Sequence, residues 1–161
     1  MSVETQVDQE KQTADRIEKR IELRASQSRV WRAIASAEEF GSWFRMAIDG
    51  EFVEGATVYG KVLHPGYEHI RVDMQVERMQ PERYFAYRWH PYPMDPAVDY
   101  STEPTTLVEF TLTAAGEDTI LTVVESGFDR LPAGRRDEAF RMNDGGWAEQ
   151  MRNIEQHVAA A

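Results

Sequence analysis

The hydrophobic positions along this chain change period three times, and the changes divide it into elements. RIEKRIELRA, from Arg16, alternates, with Ile17, Ile21 and Leu23 on one face, and predicts a first strand. Ser26 can cap a helix in which Val30, Trp31 and Ile34 form the buried side. AEEFGSWF then carries Phe40, Trp43 and Phe44, and with Gly41 inside so short a piece it predicts a helix–turn–helix insert between strands. From Ala47 the period returns to two. AIDGEFVEGATVYGKVLHPG predicts two strands turned at Glu54-Gly55. IRVDMQVERM sets Ile70, Val72, Met74 and Val76 against Arg71, Asp73, Gln75 and Glu77. After a turn at Pro81-Glu82, Phe85, Tyr87 and Trp89 share a side, and Val108, Phe110 and Leu112 share another strand's face. The last strand, TILTVVESGF, faces inward with either Leu121, Val123 and Glu125 or Ile120, Thr122, Val124 and Ser126.

The third change of period comes after Pro132. Ala139, Phe140 and Met142 open a helical pattern, and Trp147, Met151, Ile154 and Val158 continue it as one apolar stripe, predicting a long helix ending near His157. Gly145-Gly146 interrupt it. Paired glycines there imply a bend, or a close approach to another backbone at Gly146. Residues 1–15 are polar and are expected to form a disordered tail, leaving 16–161 as one domain. The order is strand, two short helices, about six more antiparallel strands and a long helix, which predicts an α+β fold with one sheet face covered by that helix.

Composition narrows the partners. A chain of 161 residues buries roughly 70% of its unfolded surface, enough for a real core. The net charge of −10 argues against nucleic acid or an anionic membrane, both of which select basic faces. No apolar run reaches the roughly 18 residues of a span, no signal-peptide core is visible, and a cytoplasmic protein is expected. The sequence contains no cysteine, so disulfides, thiolate nucleophiles and cysteine metal ligands are excluded.

Particular words in this order carry a resemblance. Val30-Trp31, Trp43-Phe44, Pro81-Glu82-Arg83 before Phe85-Ala86-Tyr87-Arg88-Trp89, TLVEFTLT from Thr106, LTVVESGFD from Leu121 and GGWAEQMRNIEQHV from Gly145 resemble the START/Bet v 1-like (SRPBCC) superfamily. Within it they are most similar to the Hsp90 ATPase activator homologue-1-like (AHSA1-type) family, over roughly Arg16 to Val158. The resemblance implies a helix-grip fold: a curved antiparallel sheet of six to seven strands around a long C-terminal helix, with two short helices after the first strand. It also implies a largely apolar cavity between sheet and helix, and a small hydrophobic ligand with no cofactor. A polyketide cyclase or aromatase of the same fold, and an Hsp90-type co-chaperone, are its alternatives. Against the co-chaperone, the activator proper has a separate large N-terminal domain that about 15 polar residues do not supply. A homodimer stays open.

The expected ligand-binding residues are Trp43, Met74, Tyr87, Trp89, Phe110, Trp147 and Met151, a set that could equally fill a core. The loop His90–Thr106, with four prolines, is long for a hairpin and offers His90, Tyr92 and Tyr100 near a mouth. Glu125 at inward parity would have a raised pKa and could act as acid, base or anchor, or pair with an arginine such as Arg88. Glu125 and His90 are the catalytic candidates. His64, His69, His90 and His157 lack metal-ligand spacing, so no metal is expected. No phosphate-binding glycine loop and no nucleophile elbow is present, which counts against a kinase or hydrolase.

Overall fold

A computed structural model describes residues 15–159. Apart from Asp15, the expected N-terminal tail lies outside the described residues. Seven strands, β1 (Arg16–Leu23), β2 (Met46–Asp49), β3 (Thr57–Val62), β4 (Arg71–Gln80), β5 (Tyr84–Trp89), β6 (Thr106–Ala115) and β7 (Asp118–Ser126), form one sheet. The spatial order is β1-β7-β6-β5-β4-β3-β2, and every neighbouring pair is antiparallel. The helices are α1 (Gln27–Ala35), α2 (Ala37–Phe44) and the long α3 (Ala133–Ala159). This is the expected helix-grip architecture, a curved sheet closed by its C-terminal helix.

Alternation sets which strand face is covered. In β4, Val72, Met74 and Val76 are buried while Arg71, Asp73 and Gln75 are exposed. In β7 the buried set is Leu121, Val123 and Glu125, so the register question left open by the sequence resolves to the first alternative. A bulge between Val76 and Arg78 shifts the β4–β5 register and adds local twist. From α3, Ala139, Trp147, Met151, Ile154 and Val158 complete the core.

Ser26 caps α1 by accepting from the Arg29 amide at 3.2 Å, as expected. Ser36 ends α1 and caps α2 at once, accepting from the Glu39 amide at 3.2 Å, so the two helices meet without a loop. Glu39 then gathers Arg29 at 2.8 Å, Arg32 at 2.9 Å and His157 at 2.9 Å, tying α1 and α2 to the end of α3.

One expectation for the last helix is corrected. Gly145 and Gly146 mark no close approach: α3 runs unbroken through both, and a Cβ at either would meet nothing within 4 Å. Both sit on the solvent face, one and two residues before the stripe resumes at Trp147. The close approach belongs instead to Gly41, where a Cβ would collide with the Met46 carbonyl oxygen. Met142 is 39% exposed, while Phe140 packs on Phe128.

Candidate functional site

Among the described residues, Glu125 is the one fully buried carboxylate, with Thr106 and Thr119 the buried threonines. Glu125 comes from β7 and is completely buried. Its Oε2 accepts from Trp89 Nε1 at 2.8 Å and from Thr106 Oγ1 at 2.6 Å. Its Oε1 accepts from Trp147 Nε1 at 2.8 Å and from Asn143 Nδ2 at 2.9 Å. Two donors thus come from adjacent strands and two from α3. Trp89 and Thr106 are direct cross-strand partners on β5 and β6, and Asn143 and Trp147 lie four residues apart on one helical face. Burial pushes the Glu125 pKa above the ordinary glutamate value, and the four hydrogen bonds pull it part of the way back. Ionised, the group is a saturated acceptor; protonated, it becomes a donor inside an aromatic environment.

All seven expected ligand-binding residues are buried. Tyr87 lies 5.1 Å, ring centre to ring centre, from Trp89, and Trp89 lies 5.9 Å from Trp147. Phe110 is 5.7 Å from Trp147, and Phe40 links Trp43 at 4.7 Å to Tyr87 at 6.2 Å. Within this layer the Tyr87 hydroxyl is fully enclosed and has no hydrogen-bond partner. Leaving such a group unpaired costs about 1–3 kcal/mol. Trp43, by contrast, donates to the Ala33 carbonyl at 2.8 Å.

Phe44 stands at the edge of the layer. It is half-buried, with its ring 5.8 Å from both Trp89 and Trp147. On its outer side a cleft of about 110 Å³ opens between α3 and the chain around Arg45 and Val62, lined also by His64, Glu149, Gln150 and Asn153. Two roomier open clefts lie apart from the seven expected residues. One, of about 710 Å³, runs along α2 and β2; the other, of about 590 Å³, lies between β3, β4 and the 90–105 loop.

That loop is anchored rather than loose. Arg135, in the first turn of α3, pairs with Glu103 at 2.6 Å, donates to the carbonyls of Pro91 and Tyr92, and covers the Tyr100 ring at 4.6 Å. His90 is engaged with the Glu103 carbonyl at 3.1 Å and is not among the groups bonded to Glu125. Arg88 is not a partner of Glu125 either; it pairs with Glu77 at 2.6 Å.

Sequence reasoning missed Thr106 and Asn143, and treated Trp89 and Trp147 as walls rather than donors. The i, i+4 spacing of Asn143 and Trp147 was the signal available for the helix half of this centre. Nothing local marked Thr106, because its role depends on which residue of β5 it faces.

The model of the family described as "Activator of Hsp90 ATPase homolog 1-like protein" matches residues 24–159. The chain belongs to this family. Among solved structures, a protein from Mesorhizobium loti is 20% identical, with a TM-score of 0.72 over 91% of this chain and 98% of that one. The Aha1 dimer from Colwellia psychrerythraea is 17% identical, with a TM-score of 0.67 over 89% and 95%. A protein of the dynemicin biosynthetic locus is 21% identical at a TM-score of 0.69; the match covers 90% of this chain but only 47% of that one, about half its length. At these identities the structural likeness establishes the fold. No match is found by sequence among curated proteins. Among the described residues, no helix is long and apolar enough to cross a membrane.

Proposed function

We propose that this family member binds a small, mainly hydrophobic molecule between the sheet and α3, against Trp43, Met74, Tyr87, Trp89, Phe110, Trp147 and Met151. The observation that carries the reading is the position of Phe44, one ring deep between an outer cleft and Trp89 and Trp147. The rings of the layer touch, so a guest has to part them. Met74 and Met151, unbranched and adaptable, are suited to yielding space. A neutral dye such as Nile red should bind with a blue-shifted emission and be displaced by hydrophobic competitors. Phe44→Ala should speed its association without abolishing binding. Absence of saturable dye binding to both proteins contradicts the proposal.

Glu125 supports a second reading, a cyclase-like enzyme of the same fold. A carboxyl with a raised pKa in an aromatic interior can protonate or hydrogen-bond a ligand oxygen. Turnover of an aromatic polyketide-type substrate that Glu125→Gln abolishes, with binding kept, would favour it. The family description also raises an Hsp90-type co-chaperone, which ATPase stimulation in a purified mixture tests. Self-association, as in the Colwellia dimer, is read by sedimentation.

A further inference from the structure

We propose that the open cleft along α2 and β2 docks a short, basic, extended peptide segment of another protein, which adds to the free edge of β2. The proposal is independent of the ligand-binding reading.

The sheet has two edges, and they are built differently. β1, at one end of the strand order, carries charge at five of its eight positions, RIEKRIEL, and charged edges resist pairing with other strands. β2, at the other end, reads MAID, with Asp49 its one charge. The register shows which backbone groups β2 leaves open. The Leu63 N–H donates to the Arg45 carbonyl at 3.0 Å. Ala47 and Asp49 share the parity of Arg45, so their N–H and C=O groups face β3, and those of Met46 and Ile48 face away from the sheet. The Met46 carbonyl turns to α2, where it lies against Gly41. At Ile48 no described backbone group meets the outward N–H and C=O. An unpaired donor and acceptor on a strand edge are a template for a further strand.

The space beside Ile48 is already shaped to receive one. The cleft of about 710 Å³ runs there, and beyond Gly50, whose φ of 102° turns the chain, Phe52 lines it too. Ala37 and Leu63 add apolar surface, and Leu63 is 53% exposed. The charged residues along the cleft are Glu38 on α2 and Glu51 after β2. Both are exposed, and among the described residues neither takes part in an ion pair. A guest therefore meets a hydrogen-bonding edge, an apolar floor and an acidic rim. Alternate side chains of a strand point to opposite sides, so a segment with lysines on one face and aliphatic residues on the other answers all three.

The probe is a fluorescein-labelled KVKVKV peptide, read by fluorescence anisotropy at low ionic strength. Two derivatives, N-methylated at the three lysines or at the three valines, keep charge and side chains but remove N–H groups from opposite edges of the strand. KVKVKV should bind saturably. One derivative should bind about tenfold more weakly, and the other within about twofold of the parent. Equal affinities of the two derivatives mean attraction by charge alone and overturn the proposal. Glu38→Gln combined with Glu51→Gln should weaken KVKVKV binding about tenfold. Glu18→Gln combined with Glu22→Gln makes the same charge change on β1 and should leave binding unchanged. Failure of the cleft pair to weaken binding more than the β1 pair overturns the proposal, as does absence of saturable binding. If KVKVKV fails to bind and Ile48→Pro dissolves a dimer seen by sedimentation, the edge serves a second copy of this chain, and the peptide proposal falls.

Discussion

At the scale of single residues, Glu125 holds opposite sides of the interior together. Its four donors come from β5, the start of β6 and α3, so one carboxylate links the sheet to the helix that closes it. Glu125→Ala would leave two indoles, a hydroxyl and an amide without acceptors, and the expected loss is about 3–5 kcal/mol in urea unfolding. Glu125→Gln keeps the shape but turns one acceptor into a donor facing donors, and should cost about 1–3 kcal/mol. The pH dependence has a definite sign. Burial raises the folded pKa above the ordinary glutamate value of 4.5, so the folded state holds this proton more tightly than the unfolded state does. The contribution is full below pH 4.5 and is lost as pH rises through the folded value. The advantage of the native protein over Glu125→Gln should therefore shrink as unfolding is measured upward from pH 4.5. Glu39 acts in the opposite sense: burial raises its pKa, but hydrogen bonds from His157 and Arg29 outweigh that and lower it. Its contribution is present above 4.5 and lost as pH falls through the folded value.

At the scale of elements, the two glycine sites separate packing from propensity. Gly41 lets α2 lie directly on the chain at Met46, and Gly41→Ala forces that backbone contact apart. Overpacking of this kind should cost about 1–3 kcal/mol. Gly146→Ala meets open space inside a continuous helix and should stabilise by about 0.5–1 kcal/mol, seen as a higher melting temperature. The opposite ranking would contradict the description of α3. The strands and the Ser26 cap were legible because each follows from a period or a local hydrogen bond, whereas the last strand offered two faces and only its packing turned Glu125 inward. Gly145-Gly146 misled because glycine is equally compatible with a bend, a close contact and an empty outer face, and local sequence does not distinguish them. The partners of Glu125 were legible only in part. Asn143 and Trp147 share a helical face, but that this face meets β7 opposite residue 125 depends on packing between distant segments. The unpaired state of the Tyr87 hydroxyl is likewise a property of its surroundings, not of its strand.

At the scale of the whole molecule, an acidic surface of net charge −10 encloses an aromatic interior held by one carboxylate, with Phe44 at its edge. Fold and family are set by sheet, helix and the match over residues 24–159. The four tryptophans report on the interior directly, because Trp89 and Trp147 donate their indole protons to Glu125 while Trp31 is half-buried on α1. A ¹H–¹⁵N NMR titration of the labelled protein with Nile red reads all four indole groups at once. Binding between the sheet and α3 predicts saturable shifts of the Trp89 and Trp147 indole signals, with Trp31 unmoved. Unchanged Trp89 and Trp147 signals at the highest soluble Nile red concentration, or movement of Trp31 alone, would contradict binding there.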